Sequence, residues 1–419
     1  MPPMKISTRV NVLLVALVFI AAGCSGDSGR YSTSSLSDEE LVSTIIEIYA
    51  EPDRIERTDQ LVSVLKGVKP DQGEALGQAL DGLDLEHREP EWILIVAAWS
   101  KFDGEAATRW TLRQSRLEWV RFLMLNESIY HWALDDAEGL IRDPQMVAYS
   151  RNGWDKFSMR GIVRGWYDSG KPNLEQWVYD LPPTRGDDRQ RAASALIASK
   201  LADVGVEETI DWARSTMQGY SPFNRYIYSR LAGDIAKIDP ERAIAWCEEI
   251  CDTKLGAEVP LWIATTWVVD GRGDAMEWIT KRDAEVTSVR VGARAAYRRF
   301  LLNHQLEALE WMESLPEEER TGRAALQGPL FMYVNEKSGL GEFETAIEWT
   351  NYMVKDSTRE ESLKTIGRRW LRQDPEAAEA WLATAPMSED AKMKARLPKP
   401  DPSERRKGFR AKETLLSPE

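Results

Sequence analysis

Asp239-Pro-Glu-Arg-Ala-Ile-Ala-Trp246-Cys-Glu-Glu-Ile250 is the stretch whose reading decides the fold. An Asp before a Pro fits a helix start, the Asp as N-cap and the Pro in the first turn. Ala243, Trp246 and Ile250 then fall three and four apart, so they share one helix face. The wording recurs as Ala275-Met-Glu-Trp278, Ala308-Leu-Glu-Trp311 and Ala346-Ile-Glu-Trp349, and Asp374-Pro375 opens the same phrase before Trp381. Leu181-Pro182, Leu315-Pro316 and Ala385-Pro386 close it, because Pro disfavours helix in the residue before it. A polar loop such as Glu317–Gly322 is expected next, then a second apolar helix.

The tryptophans, 17 in all, give the period. Trp177, Trp212, Trp246, Trp278, Trp311, Trp349 and Trp381 are separated by 35, 34, 32, 33, 38 and 32 residues. Four pairs are 11 apart: Trp99/Trp110, Trp166/Trp177, Trp267/Trp278 and Trp370/Trp381. Residues 99–110 match 370–381 at six of twelve positions, a likeness chance does not produce across 271 residues. Self-similarity at this period marks a repeat architecture, in which a helical hairpin buries its apolar stripe only by stacking on its neighbours. Strand signals are nearly absent. The expectation is an all-α chain, a right-handed α-solenoid of about ten helical hairpins of 32–38 residues spanning 39–386.

The period near 34, with a Pro six residues before a helix Trp, resembles the tetratricopeptide repeat. The chain departs from that family where Ile250 and Thr253 stand in place of its small Gly and its Tyr. The Trp…Asp-Pro-x-x-Ala-x-x-Trp…Leu-Pro wording looks more like a degenerate, Trp-rich relative among bacterial tetratricopeptide-like proteins. The resemblance covers about residues 60–390 and implies a fold and a binding habit, not a chemistry.

With 419 residues, 43% of them hydrophobic, the chain can bury a large core. Its 54 Lys+Arg against 68 Asp+Glu leave a net charge of -14, which argues against a nucleic-acid binder. At the start, Lys5 and Arg9 precede the apolar run 12–22, too short to cross a membrane as a helix but matching a secretory signal over 1–23. Ala21-Ala22-Gly23-Cys24 resembles the lipobox of bacterial lipoproteins, with Ala where Leu is commoner three residues before the Cys. The resemblance implies that Cys24 is acylated and becomes the N-terminus, and Ser25 after it implies the outer membrane, facing the periplasm. Loss of Lys5 and Arg9 with the signal takes the charge from -14 to -16. Residues 24–38, rich in Ser and Gly, read as a flexible tether with a reach of roughly 20 Å. From Met387 onward, nine Lys/Arg and six Asp/Glu among prolines suggest a disordered tail over 387–419.

Candidate chemistry is sparse. Trp246, Trp278, Trp311, Trp349 and Trp381 recur in register and read as inter-helix wedges. The off-register Trp92, Trp119, Trp154 and Trp262 are the better places to look for an exposed ligand surface. Cys247 and Cys251 share one helix face; buried small apolar side chains are the expected role, since a bridge within one turn is awkward and two thiols are half a zinc site. Ser63-Val-Leu-Lys66 lacks the companion motifs of penicillin-interacting enzymes and reads as helix surface. Arg272-Gly-Asp274 falls at a repeat junction as a helix N-cap. His87, His131 and His304 lie in different repeats, and no catalytic, metal or cofactor residue is assigned. Gly219–Tyr228 packs Tyr220, Phe223, Tyr226 and Tyr228 into a loop and helix start, either an exposed partner contact or an ordinary buried hairpin. The functional expectation is a membrane-anchored, non-enzymatic scaffold for an envelope protein. The alternative is a glycan-binding or glycan-active (α/α) toroid.

Overall fold

The computed structural model describes residues 36–83, 91–113, 118–150, 154–183 and 186–397. The described chain is all-helical, without a strand among those residues. It divides into two compact units, Met1–Asp135 and Asp136–Glu419. Cys24, the signal segment and residues 398–419 lie outside the described residues.

The first unit holds α1 (Asp38–Tyr49), α2 (Arg54–Lys66), α3 (Gly73–Gly82), α4 (Glu91–Ser100), α5 (Gly104–Arg113) and the start of α6 (Glu118–Arg142). Ser37 caps α1 in a full capping box with Glu40, which satisfies two orphan donors reciprocally. The tether therefore ends earlier than 38. Leu36 already packs on the core, and its carbonyl accepts from Gln72 Nε2 at 2.9 Å. Ser63 and Lys66 sit in α2, as helix surface. The core joins Leu41, Ile45, Leu76, Leu80, Ile95 and Trp110. Against it, Glu91 is held at 2% exposure by Arg57 Nη2 at 3.1 Å.

α6 leaves helical geometry at Asp136 (φ -145, ψ 78), where the second unit begins. There α7 (Pro144–Tyr149) precedes an alternation of long and short helices. The long ones are α8 (Lys156–Asp168), α10 (Gly186–Asp203), α12 (Pro222–Ile238), the first part of α14 (Val259–Thr280), α15 (Thr287–Asn303), α18 (Gln327–Gly339) and α20 (Asp356–Gln373). The short ones are α9 (Leu174–Asp180), α11 (Val206–Thr216), α13 (Pro240–Ile250), α14 beyond residue 272, α16 (Gln305–Ser314), α19 (Phe343–Trp349) and α21 (Pro375–Thr384). Each long helix packs on the next, α8 on α10, α10 on α12, and so on through α14, α15, α18 and α20.

The seven periodic tryptophans fall one to each short helix. Their 11-residue spacing is a ring contact: Trp166 meets Trp177 at 5.6 Å, Trp267 meets Trp278 at 6.4 Å and Trp370 meets Trp381 at 5.8 Å. In α12 and α18, which lack that Trp, a Tyr from elsewhere on the long helix meets the short-helix Trp, as Tyr228 on Trp246 and Tyr333 on Trp349. Offset and edge-on pairs of this kind add about 0.5–1.5 kcal/mol beyond area burial. Trp246 and Trp349 are buried, while Trp278, Trp311 and Trp381 are half-buried wedges. Asp239 and Asp374 cap their helices by accepting from Arg242 N and Ala377 N, and Leu181, Leu315 and Ala385 end theirs. Ion pairs link neighbouring repeats at one repeat length: Arg242 to Glu207, and Arg282 in the turn after α14 to Glu248, lie 35 and 34 residues apart.

Three expectations are corrected. Residues Glu317–Gly322 form a short helix, α17, because three glutamates in its first turn suit the positive end of the helix dipole. The tail does not begin at Met387: Ser388 caps α22 (Glu389–Arg396), which packs on α20. Cys247 and Cys251 form a disulfide rather than two free apolar side chains. Cys251 is the C-cap of α13, and its Cα lies 4.9 Å from that of Cys247, inside the span a bridge needs. The break in α14 falls on Arg272 (φ 29), at the junction expected for residues 272–274.

Candidate functional site: the open face of the long helices

One side of the second unit is crossed by contacts that step from each long helix to the next. Ser194 Oγ on α10 lies 2.7 Å from the Tyr226 hydroxyl on α12. The Tyr226 ring stands edge-on to Trp262 on α14, centroids 5.8 Å apart. Arg299 on α15 donates to the Thr265 carbonyl on α14 at 2.6 Å. The Arg294 stem covers Gly328 on α18, where a Cβ would come within 2.9 Å of it. Arg369 on α20 donates to the Asn335 carbonyl and Ser338 Oγ on α18. Tyr226, Trp262 and Arg369 are half-exposed, and Arg294 and Arg299 are exposed. The result is one continuous, solvent-facing surface from α10 to α20.

The sequence builds this surface by splitting each long helix into two stripes. On α15, Val289, Ala293, Ala296, Tyr297 and Phe300 are buried, whereas Arg290, Arg294 and Arg298 follow four apart on the open side. Arg294 and Arg298 make no hydrogen bond or ion pair with any described residue. Arg290 and Arg299 bond only to carbonyls and a hydroxyl. Burial, and then the charge of Arg372, lower the pKa of Arg369. Burial raises that of Tyr226. Both shifts mark groups whose charge or proton is set by partial removal from water.

The four aromatics expected as a partner contact separate here. Phe223 and Tyr228 are buried: Phe223 lies edge-on to Tyr179 at 5.4 Å and Tyr228 stacks on Trp246 at 5.5 Å. Pro222 starts α12, so Phe223 and Ile227 point to the core, and those two rings offer a partner nothing. Tyr220 is 54% exposed on the preceding loop, and Tyr226 belongs to the open face. Among the off-register tryptophans Trp92 and Trp154 are core residues, and the Trp119 side chain lies outside those described. Trp262 does lie on the face.

Arg189 adds a second feature beside the same loop. Its guanidinium sits 3.7 Å above the Phe223 ring and 5.3 Å from Tyr179, and burial lowers its pKa. The sequence missed Arg189, Arg294 and Arg298 because an arginine on a helix carries no motif; only the lack of a carboxylate partner distinguishes Arg294 and Arg298.

Other sites are weak. No group of three metal-ligating side chains occurs among the described residues. No described helix is long and apolar enough to cross a membrane. An open cleft of about 680 Å³ between the start of α20 and residues 385–388 is lined by Asp356, Ser357, Arg359, Glu360 and Ser388, and there the Glu360 carboxylate accepts from Ser388 N at 2.8 Å. The sequence matches no family model and no curated protein, and the fold matches no solved structure.

Proposed function

We propose that this chain is a lipid-anchored envelope protein whose helical-repeat body holds a protein partner and performs no catalysis. The observation carrying the proposal is the continuous face from α10 to α20. Tyr226 and Trp262 meet edge-on there, with exposed arginines on the neighbouring α15, and aromatics and arginine are the residues enriched at protein contact surfaces. The body is a right-handed α-solenoid of about ten hairpins, an architecture whose stacked units offer long binding surfaces. The anchor is Cys24, acylated after loss of 1–23 and directed to the outer membrane, with the body facing the periplasm.

In-cell crosslinking of the intact chain, with a Cys24→Ala form alongside, tests this. The expected result is one dominant envelope protein captured by the intact chain and lost from the Cys24→Ala form. A bait that captures no protein, or one carrying peptidoglycan fragments, would sink the scaffold and direct attention to glycans.

A further inference from the structure

The net charge of -14 conceals a division between the two kinds of helix. Counted over their ranges, the seven long helices of the second unit carry nineteen Lys/Arg against ten Asp/Glu. The seven short helices carry two against seventeen. The long-helix layer is therefore basic and the short-helix layer strongly acidic. Acids near the open face are mostly engaged already: Asp234 takes Arg230 and Lys237 at 2.6 Å each, and Glu258 takes Arg225 at 3.3 Å. The cations at the far end of the face are not. Arg294 and Arg298 have no partner among the described residues. Arg368 and Arg372 reach only carbonyls, of Lys394 and Arg368.

Resting on the scaffold function proposed above, we infer that this face takes an acidic, aromatic-bearing polypeptide segment, laid across α14, α15, α18 and α20. Charge complementarity selects the acidic class: free guanidiniums at four-residue spacing suit carboxylates, which they can engage through two parallel N–H bonds. The half-exposed Trp262, Phe331 and Met332 between them select a polypeptide with apolar side chains over a bare polyanion. Within the second unit the acidic short-helix layer disfavours any extended polyanion, so the match is local to the face.

The test uses the full chain and a fluorescein-labelled peptide of Glu-Glu-Phe-Ala repeated four times. A Lys-for-Glu version, single-stranded oligo-dT and phosphatidylglycerol-containing vesicles serve as competing probes. Arg294→Glu/Arg298→Glu reverses two charges that hold nothing in place, and circular dichroism checks that it stays helical. Lys254→Glu is the control, an exposed lysine in the turn before α14. The acidic peptide should bind, weaken with salt and lose about tenfold or more in affinity in the double variant. Lys254→Glu should stay within about twofold. Equal binding by the double variant overturns the assignment, as does preference for DNA or vesicles. A concentration-dependent oligomer abolished by the reversal would seat a second copy's acidic layer on the face, and also overturns it. If the crosslinked envelope partner still binds the double variant, the acidic-segment inference falls and the scaffold stands. If neither peptide nor partner is bound, both fall.

Discussion

Trp166 and Trp246 are matched in burial, at 2% and 0% exposure, and each meets an aromatic ring at nearly the same distance. Their indole nitrogens differ. Trp166 Nε1 donates to the Pro172 carbonyl at 2.9 Å, whereas Trp246 Nε1 is buried with no partner among the described residues. Replacing either by Phe removes the same ring atoms, a shared loss of about 1–2 kcal/mol from transfer and residual cavity. The polar terms have opposite sign. Trp166→Phe loses a hydrogen bond of about 1 kcal/mol. Trp246→Phe relieves a desolvated donor that costs about 1–3 kcal/mol. The first variant should therefore be the less stable by about 2 kcal/mol or more. Urea unfolding followed by circular dichroism measures this, and both sites lie in the same unit. Because repeat arrays can unfold in steps, amide exchange resolved to α8 and α13 supplies the local value. If Trp246→Phe is equally or more destabilising, the nitrogen has a partner, such as a buried water, and the argument fails.

Three further outcomes are expected. In denaturant, iodoacetamide with mass spectrometry should label neither Cys247 nor Cys251 before reduction and both after it; labelling of either in the unreduced protein refutes the bridge. Gly104→Ala would drive a Cβ into the backbone of His131 and Trp132, and should cost about 1–3 kcal/mol in thermal or urea unfolding. A neutral effect would mean that α5 and α6 are not so closely packed there. The hydrogen bond from Arg323 holds the Glu277 carboxyl below its ordinary 4.5. A depressed folded-state pKa stabilises above the ordinary value and is lost as pH falls through the folded one. Glu277→Gln should thus be less stable than the parent at neutral pH, with the gap closing below about pH 4.5. A gap that persists or widens in acid would show that the pair does not act through ionisation.

The hairpin was legible wherever local chemistry is strong. Asp-Pro starts, Leu-Pro stops and recurring tryptophans each act over a few residues, and each lies where the text places it. What escaped was context. Ser388 and the acids after it form a usable helix start, but the basic, Pro-rich run beyond drowned that signal. A bridge between Cys247 and Cys251 is awkward inside a continuous helix, whereas Cys251 is where the helix ends. Phe223 and Tyr228 look like a patch in a linear text, but α12 is packed on more than one side, so Phe223 meets Tyr179 while Tyr228 stacks on Trp246. The charge division is hard to see in the text because long and short helices alternate, so a window longer than one hairpin averages the two layers toward the acidic mean.

That division also separates what holds the second unit together from what is free to bind. The tryptophans wedge short helices against long ones, and the ion pairs between neighbouring repeats are exposed enough to contribute only about 0.2–1 kcal/mol each. Neither set uses Arg294 or Arg298. In a stacked array each unit's stability depends on itself and its nearest neighbours, and the Arg294 and Arg298 guanidiniums have no partner among the described residues to release. Stability and recognition should then respond to different substitutions. Truncating Trp246 should unfold its neighbourhood whatever the face carries, and reversing Arg294 and Arg298 should leave the unfolding midpoint nearly unchanged while altering what binds. A large loss of stability from that reversal would mean that the open arginines serve the fold, and the case for a binding face would lose its footing.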